Sequence, residues 1–466
     1  MLRSNQILML AIAVIVSGCA MMGPNYERPE TQLPAQFTEA ESQAGTDVSN
    51  IWWTLYQDDT LNELITKART NNTDIRIAVA RIEESDAYLR EVGAALFPQV
   101  DLSSSGSRSR ITELGATPLP ATVNPVRENY NIKLGTSFEI DFWGKLRRAK
   151  ESARAQALAS HYAKDTVDLT LQGLVASNYL LFRSLEAQIA VSKESLKSRT
   201  DSLALTKRRL DGGVASALDV YQAETAASNL AAQIADLERQ KSISEHQLVL
   251  LTGDFNLKLA SGDISQLPLP PVPPAGLPSA LLEARPDIRQ AEQNMIAANA
   301  KIGVAKAALF PTISLTANFG GESAELGDVL KSAARIWTGG LSLNLPIFDS
   351  GRLNARVDQA NAQQKQALIS YEAAIQSAFK EVNDALVSVR QNTERETELA
   401  KSRDASSKAL QIAENRYKAG YSAYLDVLDS QRTYNESALA FVQSRQARLA
   451  ATVDLFKALG GGWKPE

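Results

Sequence analysis

An internal duplication is the feature that most restricts how this chain can fold, because a repeated sequence implies a repeated structural unit. Three pairs of segments match in the same order along the chain: Ala94–Pro98 with Ala307–Pro311, Asn72–Arg76 with Arg285–Arg289, and Gly213–Val220 with Gly420–Val427. Between the copies, Leu267–Pro278 is rich in proline, which removes backbone donors and favours extended chain. The sequence therefore predicts two copies of one unit joined by a linker.

Each copy is predicted to contain a helix, two strands, a long helix, a turn and a further helix. The predicted segments are a signal peptide over 1–18, an N-terminal extension over 19–56, a first repeat over 57–260, a linker over 261–278, a second repeat over 279–460 and a tail over 461–466. The predicted strands cover about 99–112 and 129–142 in the first copy, and about 312–323 and 337–348 in the second.

The long helix of each copy carries apolar residues at sevenfold spacing, which keeps one seam turned towards a partner helix. These residues are Val175, Phe182, Ile189, Leu196, Leu203 and Leu210 in the first copy, and Leu368, Ile375, Val382 and Val389 in the second. A helix from about Lys145 to Leu210 is roughly 100 Å long at ~1.5 Å per residue. Because a globular domain does not need such a length, the pattern predicts a structure that bridges a distance.

The predicted strands have one apolar and one polar face. From Tyr130 to Phe142 the even-numbered positions are mostly apolar, whereas the odd-numbered positions include Lys133 and Glu139. Residues 341–347 alternate in the same way. Strands of roughly ten residues with this alternation are typical of a membrane barrel with a wet lumen. A soluble sheet packed on the helices is the alternative.

The number of strands implies that several chains assemble. Four strands cannot close a barrel, and unpaired strand edges are not tolerated against lipid. Small bacterial barrels begin at about eight strands, so a dimer with about eight or a trimer with about twelve both satisfy closure. Strand count alone does not choose between them.

The N-terminus has the pattern of a bacterial lipoprotein signal. Arg3 precedes an apolar run over 7–16, which is about half the length that spans a bilayer. Small residues then precede Cys19 in Ser17–Cys19, the pattern that lipoprotein signal peptidase cuts. Cys19 is therefore the candidate lipid anchor, carrying N-acyl and S-diacylglycerol groups. Because Ala20 is not the aspartate that commonly retains lipoproteins at the inner membrane, the outer membrane is favoured.

Charge and residue chemistry argue against several other classes of protein. The net charge is -4 with both signs mixed, so there is no basic stripe for nucleic acid. The single cysteine excludes a disulfide framework and a thiolate metal cluster. His161 and His246 lie apart from clustered acids, and no nucleophile elbow or phosphate loop is present. The sequence predicts no catalytic residues, no metal site, no cofactor and no enzyme activity.

At the level of motifs, the chain resembles the outer membrane factors of tripartite efflux systems, in their OprM/NodT-like lipoprotein branch. The most specific stretches are Leu277–Ile288, Ala307–Pro311 and Pro346–Arg352. Trp52-Trp53 followed by Asp58, Asp59 and Leu61 also matches the family pattern. The resemblance covers nearly the whole chain, from Cys19 to Gly461.

The resemblance implies an architecture and a set of partners. It implies a mainly helical homotrimer in which a twelve-stranded β-barrel in the outer membrane continues into a long periplasmic α-helical barrel. The 19–56 segment, the linker and the C-terminal end would form an equatorial belt. A periplasmic adaptor and an inner-membrane pump, with the RND class favoured, would deliver drugs or other small molecules to this passive duct. The alternatives are a duct for type I protein secretion and a periplasmic adaptor or structural protein.

The resemblance also implies which residues act at the periplasmic end of the duct. Gly213 and Gly420 mark the hairpin tips, where glycine adopts the positive φ of a tight reversal, and these tips would contact the adaptor. Asp426 and Asp429 are three residues apart and share a helix face. With Tyr417 they match the family's periplasmic gate, and in a trimer their carboxylates would ring the axis and attract cations.

Two sequence differences bear on this gate. In the first repeat the counterparts of Asp426 and Asp429 are Asp219 and Gln222, so only the second repeat has the doubled acid. Two solvated acids that favour the start of a helix are the alternative interpretation. Some family members carry a basic residue two positions after the second tip glycine, where this chain has Ser422. Arg416 and Arg209 are nearby substitutes, and the sequence does not choose either.

Overall fold

The computed structural model describes residues 21–30, 34, 37, 49–115, 119, 120, 122–272 and 278–464. The predicted signal peptide and the predicted lipid anchor, Cys19, lie outside these ranges. Eight α-helices occur in the described ranges: α1 Asp59–Asn71, α2 Thr73–Ala94, α3 Lys145–Asp211, α4 Ala217–Thr252, α5 Leu281–Ala284, α6 Pro286–Ala307, α7 Arg352–Lys418 and α8 Tyr424–Ala458. The strands are β1 Gln99–Arg110, β2 Val126–Ile140, β3 Thr312–Ser323 and β4 Arg335–Asn344.

The chain divides into two compact units. The first contains the described parts of 1–30, 82–160 and 291–371, and therefore the whole sheet. The second contains the described parts of 31–81, 161–290 and 372–466, and therefore both helix-hairpin turns. Within the described ranges, none of the helices has the length and hydropathy of a bilayer-spanning helix.

The four strands form one antiparallel sheet in the order β1-β2-β3-β4. Its register places large apolar side chains opposite one another on one face, because directly paired residues of antiparallel strands share a face. Leu134 of β2 lies between Leu102 and Phe319, and Phe319 also lies opposite Trp337. These side chains are exposed in the single chain, and Trp337 is 79% exposed. The predicted alternation is present.

The opposite face of the sheet is polar and internally paired. Lys133 of β2 forms an ion pair with Glu322 of β3 at 3.4 Å, and the Asn129 amide donates to the same carboxylate at 3.0 Å. Asn131 Nδ2 donates to Ser105 Oγ at 2.6 Å. The sheet therefore has one apolar and one polar face.

The strand ends differ slightly from the predicted ones for local reasons. β2 ends at Ile140 because the Asp141 carboxylate accepts the backbone N–H groups of Leu146 and Arg147, which caps α3. β4 ends at Asn344, opposite Thr312, so Leu345 and Ile347 lie beyond the strand. The intervening Pro346 has no N–H to donate to a ladder.

The second unit has a core of aromatic and aliphatic side chains. The Trp52 ring stacks on Phe456 with centroids 5.4 Å apart, and both side chains are buried. In the sevenfold seam of α3, Val175, Phe182 and Ile189 are buried, whereas the members nearer the turn are half-buried. Burial of the seam residues agrees with the predicted coiled-coil-like packing.

A buried polar network fastens the start of α1 to α3 in the second unit. Asp58 caps α1 by accepting the Leu61 N–H at 2.9 Å. Its other oxygen accepts the Tyr179 hydroxyl at 2.7 Å and the Arg183 guanidinium at 3.3 Å. Arg183 also donates to the Tyr179 oxygen at 2.7 Å and to the Ala260 carbonyl at 3.2 Å. The buried charges of Asp58 and Arg183 therefore compensate each other.

Candidate functional site at the helix-hairpin tips

The two turns that join the long helices to their partners have the same backbone structure. Gly213 and Gly420 adopt φ values of 75° and 84°. The next residue donates back across the turn in each copy, from Val214 N to Arg209 O and from Tyr421 N to Arg416 O, both at 2.9 Å. This is the Schellman arrangement, in which a glycine with positive φ ends a helix. The structure therefore places both predicted tip glycines at tight reversals.

The helices that follow the two turns begin differently. Ser216 precedes α4 and forms a capping box, in which its hydroxyl accepts the Asp219 N–H and the Asp219 carboxylate accepts the Ser216 N–H. The equivalent residue before α8 is Ala423, which has no side-chain cap. Asp426 occupies the position of Asp219 but has no serine to reciprocate. The duplicated aspartates therefore have different local roles.

The two predicted gate acids are both exposed at the start of α8. Among the described residues, no side chain hydrogen-bonds to the Asp426 carboxylate. Asp429 pairs with Arg432 at 2.8 Å, one turn further along the same helix. This hydrogen bond raises the pKa of Arg432 above its usual value. The structure thus brings the acids to one exposed helix start, with one of them already paired.

Tyr417, the third predicted gate residue, is buried near the end of α7. Its hydroxyl lies 3.1 Å from Thr206 Oγ1 of α3, and its ring lies 5.7 Å from that of Tyr424. It belongs to a small apolar cluster with Ala413 and Val427. Tyr417 therefore joins the two hairpins within one chain and does not lie on the surface that presents the acids.

Arg209 makes a second connection between the hairpins. Its guanidinium lies over the Tyr417 ring at 4.2 Å from the centroid. It also donates to the carbonyl oxygens of Tyr417 at 2.8 Å and Lys418 at 3.3 Å, at the C-terminal end of α7. A cation at this end also opposes the helix dipole. Of the two arginines that the sequence offered, Arg209 contacts the other hairpin, whereas Arg416 is exposed.

Several polar groups behind the tips are buried without a hydrogen-bond partner among the described residues. They include the hydroxyls of Ser422 and Tyr424 and the Nε of Arg199. Burial lowers the pKa of Arg199. Burial, together with neighbouring Tyr417, raises the pKa of Tyr424 to about 12. The sequence did not predict these buried polar groups, because single polar residues do not alter the sevenfold apolar pattern.

A surface groove runs between α4 and α8 beside the acids. Its volume is about 670 Å³, and its apolar lining includes Leu218, Tyr221 and Leu425, all exposed. Arg432 and Asp429 lie at the same groove. An exposed apolar groove with charged residues is typical of a surface that contacts another protein.

Metal chemistry finds no support in this part of the molecule. Over the ranges that the structure describes, no group of three or more His, Cys, Asp or Glu side chains converges to hold a metal ion.

Comparison with known proteins gives a consistent family assignment. The family model for the outer membrane efflux protein matches residues 64–254 and 277–461. The antibiotic efflux pump outer membrane protein ArpC of Pseudomonas putida is 34% identical over 483 residues, covering 99% of this chain and 96% of ArpC. The cation efflux system protein CusC of Escherichia coli is 32% identical over 465 residues, covering 98% of this chain and 99% of CusC.

A solved structure agrees with the sequence comparison. The outer-membrane channel OprN superposes with a TM-score of 0.89 at 30% identity, covering 96% of this chain and 100% of OprN. The likeness confirms the predicted fold class, which is that of the outer membrane efflux channels. The chain belongs to the outer membrane efflux protein family and is an outer-membrane channel of an efflux system.

Proposed function

We propose that this protein is the passive exit duct of a tripartite efflux pump, a lipid-anchored homotrimer whose opening is controlled by Asp426 and Asp429. The observation that carries the gate is the exposed pair of acids just past the Gly420 turn. Asp426 is free of the capping box that occupies its counterpart Asp219. The duct itself catalyses no reaction and needs no cofactor beyond the acyl groups on Cys19.

The sheet supports assembly into a trimer. β1 and β4 are its outer strands, and each has one edge that pairs with no other strand among the described residues. Edges of this kind must be paired when the apolar face of the sheet contacts lipid. Three chains with four strands each form a closed barrel of twelve strands, with the polar face turned inwards. The resemblance of the sequence to the outer membrane factors favours this stoichiometry over the dimer.

The acids support a cation-attracting constriction. Three copies of the Asp426 and Asp429 pair place six carboxylates around the axis of a trimer. A cation bound between the carboxylates offsets their mutual repulsion and bridges the three chains, so the acids with their cation hold the narrow state and removal of the acids opens it. The Asp429–Arg432 pair reduces this repulsion, whereas no side chain among the described residues pairs with Asp426.

Arg209 and Tyr417 support a closed state that is held within each chain. The Ser422 side chain cannot supply the basic link that some family members use. Arg209 instead holds the carbonyl end of α7, which leads directly into the turn at Gly420. The closed gate is therefore maintained by contacts between the two hairpins of one protomer.

The exposed groove between α4 and α8 supports docking of the periplasmic adaptor at the tips. Leu218, Tyr221 and Leu425 offer apolar positions that a helical hairpin can pack against. The adaptor in turn connects the duct to an inner-membrane pump, with the RND class favoured. The relative ArpC is named for antibiotics, and the cargo proposed here is drugs or other small molecules.

Single-channel conductance in a planar bilayer tests this function. Wild-type protein is expected to give a small, mostly closed conductance, and Asp426→Ala/Asp429→Ala is expected to open it. Asp236→Ala is the matched control, because Asp236 is an exposed acid with an arginine partner three residues on, like Asp429. Equal conductance in all three forms would contradict the proposed gate role of Asp426 and Asp429. Folded trimers that never conduct would contradict the proposed duct.

A further inference from the structure

The connection between β3 and β4, residues 324–334 and here called the β3–β4 loop, folds back over the apolar face of the sheet. Gly321, near the end of β3, lies opposite Ile132 and two residues from Phe319, so a side chain on it would point to the apolar face. Gly321 is buried, and a Cβ on it would clash with the Val329 carbonyl oxygen of the loop. The glycine therefore allows the loop to lie against this face.

Tight turns give the β3–β4 loop a fixed backbone. The Asp328 N–H donates to the Glu325 carbonyl at 3.1 Å, and the Lys331 N–H donates to the Asp328 carbonyl at 2.9 Å. The Ala334 N–H then donates to the Lys331 carbonyl at 3.0 Å. A segment that touches lipid must satisfy its own backbone groups, because acyl chains offer no hydrogen-bond partner. These turns meet part of that requirement.

The loop presents large apolar side chains that no other described residue covers. Leu326 is 66% exposed and Leu330 is 79% exposed. They adjoin the exposed pair of Phe319 and Trp337, which lie opposite each other on the apolar face. The exposed apolar surface therefore continues from the strands onto the loop, and a continuous surface of this kind marks an interaction site.

The strands alone form a short apolar band. On β3 the large apolar side chains of this face run from Ile313 to Phe319, which is about 20 Å along the strand. At a tilt of about 40° this is about 15 Å of height, whereas membrane barrels have an apolar band about 25 Å tall. Gly321 adds no side chain beyond Phe319. Leu326 and Leu330 of the loop supply apolar side chains at this end of the band.

An arginine without an ion-pair partner stands beside the loop. Arg335 is the first residue of β4, lies opposite Gly321 and is exposed. Among the described residues it forms no ion pair, whereas Lys331 of the loop pairs with Asp328 at 2.5 Å. Arg335 is two residues from Trp337 and therefore lies on the same face. An arginine beside an aromatic ring at the border of an apolar band can extend its charge to lipid headgroups.

We propose that the β3–β4 loop is embedded in the lipid bilayer at the border of the apolar face. Leu326 and Leu330 enter the boundary between headgroups and acyl chains, and Arg335 binds the phosphate of a lipid headgroup. Continuity with the lipid-facing surface of the strands selects lipid as the partner. The proposal rests on the barrel of the proposed function, which turns this face of the sheet to lipid.

Nitroxide labels test the loop in full-length protein reconstituted in phosphatidylcholine vesicles. The label on Leu330→Cys is expected at the headgroup–acyl boundary, accessible to oxygen and shielded from a water-soluble nickel chelate. The label on Leu341→Cys, on the apolar face of β4, should lie deeper. The label on Leu114→Cys, a residue that is 96% exposed in the connection between β1 and β2, should lie in water. Wild-type protein treated in the same way is the blank for Cys19.

These labels separate the loop from the barrel. A Leu330→Cys label in water beside a deep Leu341→Cys label would overturn the embedded loop and leave the barrel standing. Both labels in water would contradict the lipid-facing surface itself. A Leu330→Cys label shielded from both reagents would place the loop in a contact between protomers and would also overturn the proposal.

Glycine variants test the crossing of the loop over the sheet. Adding Gly321→Ala to Leu330→Cys is expected to push the loop off the sheet and to move the label into water. Gly339→Ala is the matched control, because Gly339 lies on the same face with open space where its Cβ would be. A label that stays at the boundary in Gly321→Ala, or leaves it equally in both variants, would contradict a loop held in the bilayer by this crossing.

The selectivity of the surrounding lipid tests Arg335. Spin-labelled phosphatidic acid is expected to associate with the wild-type protein about fivefold more strongly than spin-labelled phosphatidylcholine. Arg335→Gln should remove most of this preference. Arg127→Gln should keep it, because Arg127 is an exposed arginine at an odd-numbered position of β2, on the polar face. No preference in the wild type, or an equal loss in both variants, would overturn phosphate binding by Arg335.

Discussion

The guanidinium of Arg209 lies 4.2 Å from the centre of the Tyr417 ring and donates a hydrogen bond to the carbonyl of the same residue at 2.8 Å. One arginine of the first repeat therefore holds both the side chain and the backbone of a residue in the second. The contact stands three residues before the Gly420 turn. It ties the hairpin that carries Asp426 and Asp429, the proposed gate acids, to the hairpin of the first repeat.

Removing this tie is expected to open the channel. Arg209→Met keeps an unbranched side chain but loses the ring contact and the bonds to two carbonyls. A cation–π contact contributes about 0.5–2 kcal/mol, so the open fraction is expected to rise roughly tenfold. Single-channel recordings measure that fraction. Arg208→Met, an exposed neighbour in the same helical turn, is the control, and equal opening by both variants would show that charge at the tip matters more than the tie.

Installing the missing cap before α8 is expected to turn the Asp426 carboxylate away from the surface. Ala423→Ser recreates in the second repeat the capping box that Ser216 and Asp219 form in the first. We expect α8 to gain about 1 kcal/mol and the Asp426 carboxylate to turn towards the backbone N–H of the substituted residue. Cation selectivity in bilayer recordings should then fall towards that of Asp426→Asn. Unchanged selectivity alongside a higher unfolding temperature would show that Asp426 acts equally well when capped.

Periodic features of the sequence predicted most of the fold. The sevenfold seam over Val175, Phe182 and Ile189 indicated the long helices, since helix packing repeats along the chain. Alternation around Leu134 indicated the sheet and its apolar face. Strand ends were less predictable because they depend on single local events, such as the capping of α3 by Asp141.

The candidate site was predicted only in part, because its contacts join residues far apart in sequence. The duplication drew attention to Gly213, Gly420 and Asp426, since each has a counterpart at the same position of the other repeat. Burial of Tyr417 and the choice of Arg209 depend on how α3 packs on α7, which periodicity does not determine.

Breaking the buried pair at the start of α1 is expected to destabilise the second unit strongly. Arg183→Met leaves the Asp58 carboxylate buried without its charge partner, which costs about 3–5 kcal/mol. Thermal unfolding followed by circular dichroism measures the loss. Asp58→Leu/Arg183→Met removes both charges and should recover part of the stability. If the double variant is as unstable as Arg183→Met, the lost stability comes from altered packing against Tyr179 and not from the unpaired charge.

Alkaline pH provides a test of the buried Tyr424 hydroxyl, whose pKa is raised from 10.0 to about 12. Between these values the folded chain keeps a proton that the unfolded chain releases, so stability falls as pH rises through this window. Tyr424→Phe removes the titrating group together with a hydroxyl that has no partner among the described residues. The unfolding temperature of this variant should equal or exceed that of the wild type at pH 8, and its advantage should widen from pH 10 to 12. Tyr221→Phe, at an exposed ring, should show a constant difference. A constant difference for Tyr424→Phe as well would mean that burial of its hydroxyl does not disfavour ionisation.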